Sequence, residues 1–466
     1  MNAAPLSPRL GDLDPSFGND GVFDVAFDGY DVVEPSEIDT VRALDRAPDG
    51  SFMLALMCRT SDGQTWQYGL ARLTPNGHLD PDFGAGGIAV GSLPPALRMG
   101  GAQPWIDRDG ATVVVLRNQE SRRWTLARYD RFGAPDVTFG ATGGYINLDS
   151  IRPPGEPYVA KGFIVAGLER SFYFIGSVRQ RVPARTAEGV TATERDDTRV
   201  DRYAGAVVIR FDGSGRLDTT FAGTGYVYVD VPLNPSGRIT DAVVQDDGKL
   251  VLSTATAGGN ARIVRLLANT GTPDPDFGTN GVFLVEGDSA DRMEIEKLAW
   301  SREAGLWGLG QNMELSPRVG LLIALDDKGR IRADFNGGRL MTIDYGGAGS
   351  DDGFDKPIHL HTSGAGVTVA GGPLRPYGIE PKLLIVGRHL SSGALDRSFG
   401  EADETGTPKG FYRVDLDRKG FNFVYLGIDL NDEYLTVELL NGDGVPPGPN
   451  TDRTTVERYV VSQGRP

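Results

Sequence analysis

The chain has 466 residues, with 47 basic and 63 acidic side chains and a formal net charge of −16. This balance argues against nucleic acid as a partner, because proteins that bind the phosphate backbone need a cationic surface. The 64 glycines and 29 prolines favour an all-β chain rich in turns over one built from long helices.

The N-terminal stretch MNAAPLSPRL lacks the basic and apolar segments of a signal peptide. No run of about 18 apolar residues occurs, so we expect no membrane span. The single cysteine, Cys58, lies in the apolar run SFMLALMC and is expected to be a buried structural thiol. We expect a monomer that is either cytoplasmic or exported by a non-classical route.

One phrase recurs seven times, starting with GDLDPSFG at residues 11–18. Every copy has a glycine six residues before a phenylalanine, and these phenylalanines are Phe17, Phe83, Phe139, Phe221, Phe277, Phe335 and Phe399. An aspartate lies three residues before the phenylalanine in six copies, and Arg332 replaces it in the sixth copy. A recurrence every 56 to 82 residues predicts a repeat protein with seven units.

Each unit contains short apolar runs bounded by turns. The clearest unit reads RITDAVVQ, the turn DDG, KLVLSTATAG, ARIVRLL, the phrase, and VFLVEG. These runs predict four antiparallel strands, which are too few for a stable sheet alone but match one propeller blade. We therefore predict a single seven-bladed β-propeller domain of four-stranded antiparallel blades over residues 1–466.

The pattern G-x-LD-x-x-FG-x-x-G, preceded by a strand of the form xxRL-x-x-xG, resembles the delta-60 repeat family of bacterial proteins. The resemblance extends over essentially the whole chain. It implies a β-propeller fold. It supplies no catalytic residues, because the function of that family is largely uncharacterised.

The DG turn of each unit is similar to the first hairpin of other propeller repeats, in which the strand before the turn lies nearest the axis. The strand after the phrase is then outermost, so the chain begins with an outer strand at residues 21–27. The last unit, residues 421–463, is one strand short. We predict that the N-terminal strand completes this blade, closes the ring and removes an exposed sheet edge.

The residues of the phrase have structural roles that can be predicted. Its glycine suits a turn position with positive φ, its aspartate an Asx turn, and its phenylalanine the packing between blades. The alternative is that pairs such as Asp80 and Asp82, or Asp274 and Asp276, bind calcium. No copy has the full acidic spacing of an EF-hand loop.

The predicted strand order places short DG-rich turns on one face of the disc and the longer loops and crossovers on the other. The longest insertion spans residues 178–203. Long loops in compact domains are often functional, so we predict a non-catalytic binding or scaffolding propeller that recognises a protein, small molecule or glycan on the loop-rich acidic face. The candidate binding residues are Glu37, Asp39, Trp105, Tyr158, Asp196, Asp197 and Tyr377.

Carboxylates recur in the crossovers between units, where they could hold Ca²⁺ or attract a cationic partner. The metal candidates are Asp31, Asp288, Asp291, Asp351, Asp352 and Asp355. His359 and His361 share one face of a predicted inner strand at a spacing that suits zinc, but without a third ligand nearby, packing or channel lining is favoured.

Two further function classes stay open from the sequence. One is a hydrolase or lyase with a divalent ion held by carboxylates over the central channel. The other is a carbohydrate-binding propeller, in which Tyr30, Trp105, Tyr158, Tyr345 and Tyr377 stack on sugars. No G-x-S-x-G, H-E-x-x-H or phosphate-binding loop motif occurs.

Overall fold

The computed structural model describes residues 9–25, 30–33, 44–60, 66–91, 99–118, 123–140, 143–151, 158–183, 199–229, 238–255, 260–286, 293–313, 319–343, 345, 354, 356–372, 383–416, 422–442 and 453–461. The described residues form an all-β chain of seven antiparallel sheets arranged as a β-propeller. One short 3-10 turn at Leu148–Ser150 is the exception. None of the described helical structure is long and apolar enough to cross a bilayer.

The first strand in sequence, β1 (Val22–Val25), belongs to the last blade. Blade 1 consists of β2 (Tyr30–Val33), β3 (Leu44–Arg46), β4 (Phe52–Thr60), β5 (Trp66–Leu73) and β6 (Ile88–Gly91). Blade 2 consists of β7 (Met99–Ile106), β8 (Thr112–Asn118), β9 (Trp124–Tyr129) and β10 (Tyr145–Asn147). Blade 3 consists of β11 (Tyr158–Ala166), β12 (Phe172–Pro183), β13 (Arg199–Phe211) and β14 (Tyr226–Val229).

Blade 4 consists of β15 (Arg238–Val244), β16 (Leu250–Ala255), β17 (Arg262–Leu266) and β18 (Val282–Leu284). Blade 5 consists of β19 (Met293–Ser301), β20 (Gly305–Asn312), β21 (Val319–Leu325) and β22 (Met341–Ile343). Blade 6 consists of β23 (Lys356–Ser363), β24 (Gly366–Gly372), β25 (Leu383–His389) and β26 (Phe411–Asp415). Blade 7 consists of β27 (Asn422–Leu430), β28 (Tyr434–Gly442), β29 (Arg453–Val460) and β1.

The two ends of the chain share blade 7, as the sequence predicted. β1 pairs antiparallel with β29, from Val22 opposite Glu457 to Val25 opposite Thr454. Residues 26 and 27 of the predicted strand lie outside the described residues. Because β1 pairs with the outer edge of β29, that edge is not left exposed in this blade.

The core of the propeller lies between blades. Seven hydrophobic clusters each join residues of two neighbouring blades, and each contains one phenylalanine of the phrase. These seven rings are 0 to 3% exposed, which confirms that the phenylalanine packs between blades. A large apolar side chain at every interface adds to the burial between blades, which no four-stranded sheet could achieve alone.

Two blades depart from the common pattern. In blade 1 the inner strand is split, because Val33 pairs with Met57 and Leu44 with Leu54. Residues 34–43 therefore lie, in sequence, between two pieces of one strand rather than in a crossover. In blade 3, strands β12 and β13 pair as far as Pro183 and Arg199, so part of the 178–203 insertion is an extended hairpin rather than a loop.

Candidate functional site

An arginine in the third strand of most blades forms an ion pair with the aspartate of the phrase. We call this pairing, together with its contact to the next blade, the arginine latch. The pairs within single blades are Arg72–Asp80 at 3.2 Å, Arg128–Asp136 at 3.4 Å, Arg210–Asp218 at 3.1 Å, Arg265–Asp274 at 2.8 Å and Arg388–Asp396 at 4.0 Å. The sequence interpretation missed this role, although an arginine eight or nine residues before the aspartate was visible in these copies.

The latch also reaches the neighbouring blade. Arg72 donates through Nη1 to the backbone oxygen of Arg131 at 3.0 Å, and Arg128 donates to that of Gly213 at 3.0 Å. Both acceptors lie at the same position in the turn between the third and fourth strands of the next blade. Each guanidinium thus binds the aspartate of its own blade and a backbone oxygen of the next blade. These charge-assisted hydrogen bonds hold the two blades at a fixed spacing.

In the six copies after the first, the glycine of the phrase lies against the phenylalanine of the preceding copy. Gly215 has a φ of +77°, and a β-carbon built on it would lie 2.5 Å from the ring of Phe139 in the preceding blade. Beside this contact, the amide of Gly140 donates to the backbone oxygen of Ser214 at 2.9 Å. The glycine and the phenylalanine of one copy therefore do not contact each other. Each contacts the phrase of a neighbouring copy, so the six-residue spacing reflects contacts between consecutive blades.

Blade 5 departs from the rule at both latch positions at once. Ala324 stands where the arginine of the third strand is expected, and Arg332 stands in place of the aspartate. Arg332 donates to the backbone oxygen of Ser391 in the next blade at 3.1 Å, and it pairs with Asp334 at 2.8 Å. The guanidinium that contacts the next blade thus comes from the aspartate position of the phrase, within the same blade.

Blade 7 builds its latch from the two ends of the chain. Arg458 of β29 and Asp14 of the first phrase form an ion pair of 2.5 Å, with side chains 8% and 7% exposed. Arg458 also donates to the backbone oxygen of Pro75 in blade 1 at 2.5 Å. Burial raises the pKa of the Asp14 carboxyl, but hydrogen bonds from Ser16 and the charge of Arg458 outweigh burial, so the pKa lies below its usual value.

The aspartates of the phrase form the predicted Asx turns. Asp80 accepts a hydrogen bond from the amide of Asp82, and Asp274 accepts one from the amide of Asp276. Their second oxygens face Arg72 and Arg265, respectively. The calcium alternative for these pairs does not agree with this geometry, since an arginine occupies the place that a cation would need.

An opening lies on the face that carries the short turns between first and second strands. It is a cavity of about 750 Å³, which we call the wedge cavity. The inner strands β15 and β19, and likewise β19 and β23, pack along each other, whereas the wedge cavity separates the short-turn ends of β7 and β11. It continues along the channel to Asp45, Asp241 and Lys297 on blades 1, 4 and 5.

The wedge cavity has closed boundaries on two sides. Trp124 donates from Nε1 to the backbone oxygen of Val159 at 3.0 Å, which joins blades 2 and 3 at the opposite ends of their strands. The latch from Arg128 to Gly213 closes the outer side. The ring of Trp105 lines the cavity and packs on Phe172 with centroids 5.3 Å apart.

Most of the predicted site residues lie outside the described residues, so their positions stay untested. These are Glu37, Asp39, Asp196, Asp197, Asp288, Asp291, Asp351, Asp352, Asp355 and Tyr377. Asp31 and Tyr158 belong to β2 and β11, at the strand ends nearest the crossovers. Trp105 lies instead at the short-turn end of β7.

Tyr345 does not serve as a stacking platform. It is 5% exposed, and its hydroxyl is hydrogen-bonded to Nε2 of His389 at 2.8 Å. Burial lowers the pKa of His389 to about 4, against the opposing hydrogen bond to the backbone oxygen of Gly393. This pair is a buried polar link in the blade 5–6 interface.

His359 and His361 lie on β23, the inner strand of blade 6, as predicted. Burial lowers the pKa of His361, against the opposing charges of Asp432 and Asp429. Within the described part of the chain, no three histidine, cysteine or carboxylate side chains form a group that could hold a metal ion. Both imidazoles are half-buried on this inner strand, and the channel-lining interpretation stays a prediction.

No family model matches the sequence, and no curated protein matches it. Among solved structures, the chain is similar to oligopeptidase B from Leishmania major, with a TM-score of 0.41, 11% identity, and coverage of 91% of this chain and 49% of that chain. The chain therefore spans about half the length of that protein.

Two further similarities extend over nearly the whole of the other chain. The β-propeller domain of the Trilobed protease from Pyrococcus furiosus has a TM-score of 0.41 and 8% identity, covering 89% of this chain and 97% of that one. A protein of unknown function from Dyadobacter fermentans has a TM-score of 0.38 and 10% identity, covering 95% of this chain and 100% of that one. At these scores the similarities carry no information about function.

Proposed function

We propose that the protein is a rigid, non-catalytic binding platform that holds a ligand in the wedge cavity. The observation that carries the proposal is an open cavity of about 750 Å³, which falls within the usual size range of ligand sites. It lies between blades whose spacing is fixed elsewhere by latches and by packed phenylalanines. Such a frame orders the site in advance and lowers the entropic cost of binding.

The chemistry of the walls supports recognition of a ligand with apolar and polar parts. Trp105, Ile164 and Phe172 form an apolar side, while Asp107, Arg128 and other charged side chains surround the opening. Arg128 is held by the latch and by Asp107 at 2.5 Å. We propose that these groups position a ligand, and that the loop-rich face with its calcium candidates is a second surface for partners. Membership of the delta-60 repeat family stays part of the same proposal.

A fragment screen by thermal melting tests this function. Ala166 is exposed at the end of β11 and lines the wedge cavity, so Ala166→Trp fills the cavity without removing a latch. Ala365 is exposed in the first turn of blade 6, outside the wedge cavity, and Ala365→Trp is the matched control. We expect at least one fragment class to raise the melting temperature of the wild type and Ala365→Trp but not of Ala166→Trp. The proposal would be contradicted if the same fragments also raised the melting temperature of Ala166→Trp. It would equally be contradicted if no fragment raised the melting temperature of the wild type.

A further inference from the structure

Two buried side chains that line the wedge cavity, Gln103 and Asp241, have acceptor oxygens with fewer hydrogen-bond or ion-pair partners than buried groups normally have. Gln103 is 7% exposed, and its Oε1 accepts no hydrogen bond within the described residues. Asp241 is 8% exposed and accepts one hydrogen bond, from the backbone nitrogen of Leu298 at 2.9 Å. Within the same described part of the chain, the Asp241 carboxylate has no ion-pair partner. Buried polar groups are normally hydrogen-bonded, and a buried carboxylate normally has a cation beside it.

The two acceptors occupy matching positions in the ring. Gln103 lies three residues before Ile106, which pairs with Thr112, the first residue of β8. Asp241 lies three residues before Val244, which pairs with the first residue of β16. Both side chains therefore belong to the same layer of the propeller, on blades 2 and 4. Blade 3, whose strand β11 lines the wedge cavity, stands between them.

Two acidic side chains at the opening already have ion-pair partners, and the charged Arg108 and Glu169 at its rim are exposed to solvent. Asp107 pairs with Arg128 at 2.5 Å, and Asp109 pairs with Arg170 at 3.1 Å. Lys297 of blade 5 is engaged in an interaction of its own. Among the buried groups that line the wedge cavity, Gln103 and Asp241 therefore call for hydrogen-bond donors, and Asp241 for a donor that carries positive charge.

The position of Trp105 adds an apolar surface beside these acceptors. Gln103 and Trp105 are two residues apart on β7 and hence project to the same side of the strand. An indole face accommodates the methylene stem of a lysine or arginine and attracts its charged head. The net charge of −16 favours the approach of a cation by long-range attraction.

We propose that the wedge cavity binds an alkylammonium or alkylguanidinium group, with its head between Gln103 and Asp241 and its stem on Trp105. This inference rests on the proposed function and specifies its ligand chemistry. The same chemistry is present in a free amine and in a lysine or arginine side chain of a peptide. Both sources offer the donors that the two acceptors lack.

Isothermal titration at low ionic strength compares charged probes with neutral isosteres. The free-amine arm uses pentylamine and 1-pentanol. The peptide arm uses acetyl-Gly-Arg-Gly-amide and its citrulline analogue, in which a urea replaces the guanidinium. We expect the charged member of at least one pair to bind tenfold or more tightly than its neutral isostere, and the responding arm identifies the source.

Asp241→Asn assigns the effect to this site. Asparagine keeps an acceptor for the amide of Leu298 but removes the charge, and we expect the affinity for the charged probe to fall about 10- to 100-fold. Glu404→Gln removes one exposed charge on blade 6 and should leave the affinity unchanged. If Asp241→Asn does not fold, Gln103→Met serves in its place, with an expected loss of about tenfold.

The proposal is overturned if neutral isosteres bind as tightly as the charged probes, if no probe binds, or if the cavity variants bind like Glu404→Gln. The proposed function is judged separately by the fragment screen. Fragments blocked by Ala166→Trp, together with failure of every charged probe, would refute the cationic ligand and leave the binding platform intact. Failure of both experiments would refute both.

Discussion

Removing the Asp14 carboxylate should loosen the joint that closes the ring. Nε and Nη2 of Arg458 lie 2.7 and 2.5 Å from one oxygen of Asp14, and both side chains are more than nine-tenths buried. In Asp14→Ala the guanidinium stays buried and keeps only neutral acceptors, namely the backbone oxygen of Pro75 and the hydroxyl of Ser16. Breaking a buried ion pair on one side costs about 3–5 kcal/mol, and we expect a loss of unfolding free energy in that range.

The assay is urea denaturation followed by circular dichroism, with Asp403→Ala as the matched control. Asp403 is also an Asx-turn aspartate, and its Oδ1 accepts from the amides of Thr405 at 2.8 Å and Thr407 at 3.0 Å. Within the described residues it has no buried arginine partner, so its loss should destabilise the protein much less than the loss of Asp14. If Asp14→Ala and Asp403→Ala destabilise the protein equally, the latch contributes nothing beyond turn hydrogen bonds and the reasoning fails.

Blade 5 supplies the rescue for this experiment. Its arrangement of Ala324, Arg332 and Asp334 can be copied into blade 7 as Arg458→Ala with Asp14→Arg and Ser16→Asp. The triple variant has the same net charge as the wild type and again presents a guanidinium to the next blade. We expect it to recover about half of the free energy lost in Asp14→Ala. A triple variant less stable than Asp14→Ala would show that the two latch arrangements are not interchangeable.

Three other measurements probe the joints and the buried histidine. In Gly215→Ala the new β-carbon would lie 2.5 Å from the Phe139 ring, whereas in Gly223→Ala, at a similar φ of +73°, it would have nothing within 4 Å. Calorimetry should therefore show a larger drop in melting temperature for Gly215→Ala. Equal drops would contradict the packing role of this glycine. The unfolded chain binds a proton at His389 near pH 6.5 but the folded chain only near pH 4, so stability should fall by about 3 kcal/mol as the pH decreases through this window. Urea titrations of His389→Gln should lack this component, and an identical pH slope in the variant would refute it. Deletion of residues 1–25 should lower the melting temperature and promote aggregation, and a peptide of residues 9–25 added in trans should raise it in a concentration-dependent way; an unchanged melting temperature would refute the closure.

The architecture could be predicted well from the sequence because the same pattern of turn and core residues occurs in seven units. Phe17 and its six counterparts marked the interfaces, and the missing last strand led to the pairing of the two chain ends. The latch was predictable in principle, since Ala324 and Arg332 change together within one blade. It was missed because a single pair of residues does not show whether it forms contacts within a copy or between copies.

The candidate site could not be read from the sequence in the same way. Trp105 was expected on the loop-rich face, but the count of residues to the next turn places it at the other end of its strand. The wedge cavity lies between residues of β7 and β11, and no sequence pattern shows that a cavity separates these two blades.

The sequence alone determined what repeats: strand order, turn residues, the phenylalanine at each interface and the closure of the ring. These features depend on the spacing of turn residues and on the periodicity of apolar residues, and both can be read directly from the sequence. Only the tertiary structure decided which acceptors lack partners, as for Gln103 and Asp241. Whether a buried group is satisfied depends on side chains from other blades, which are far away in sequence and meet only in the assembled ring.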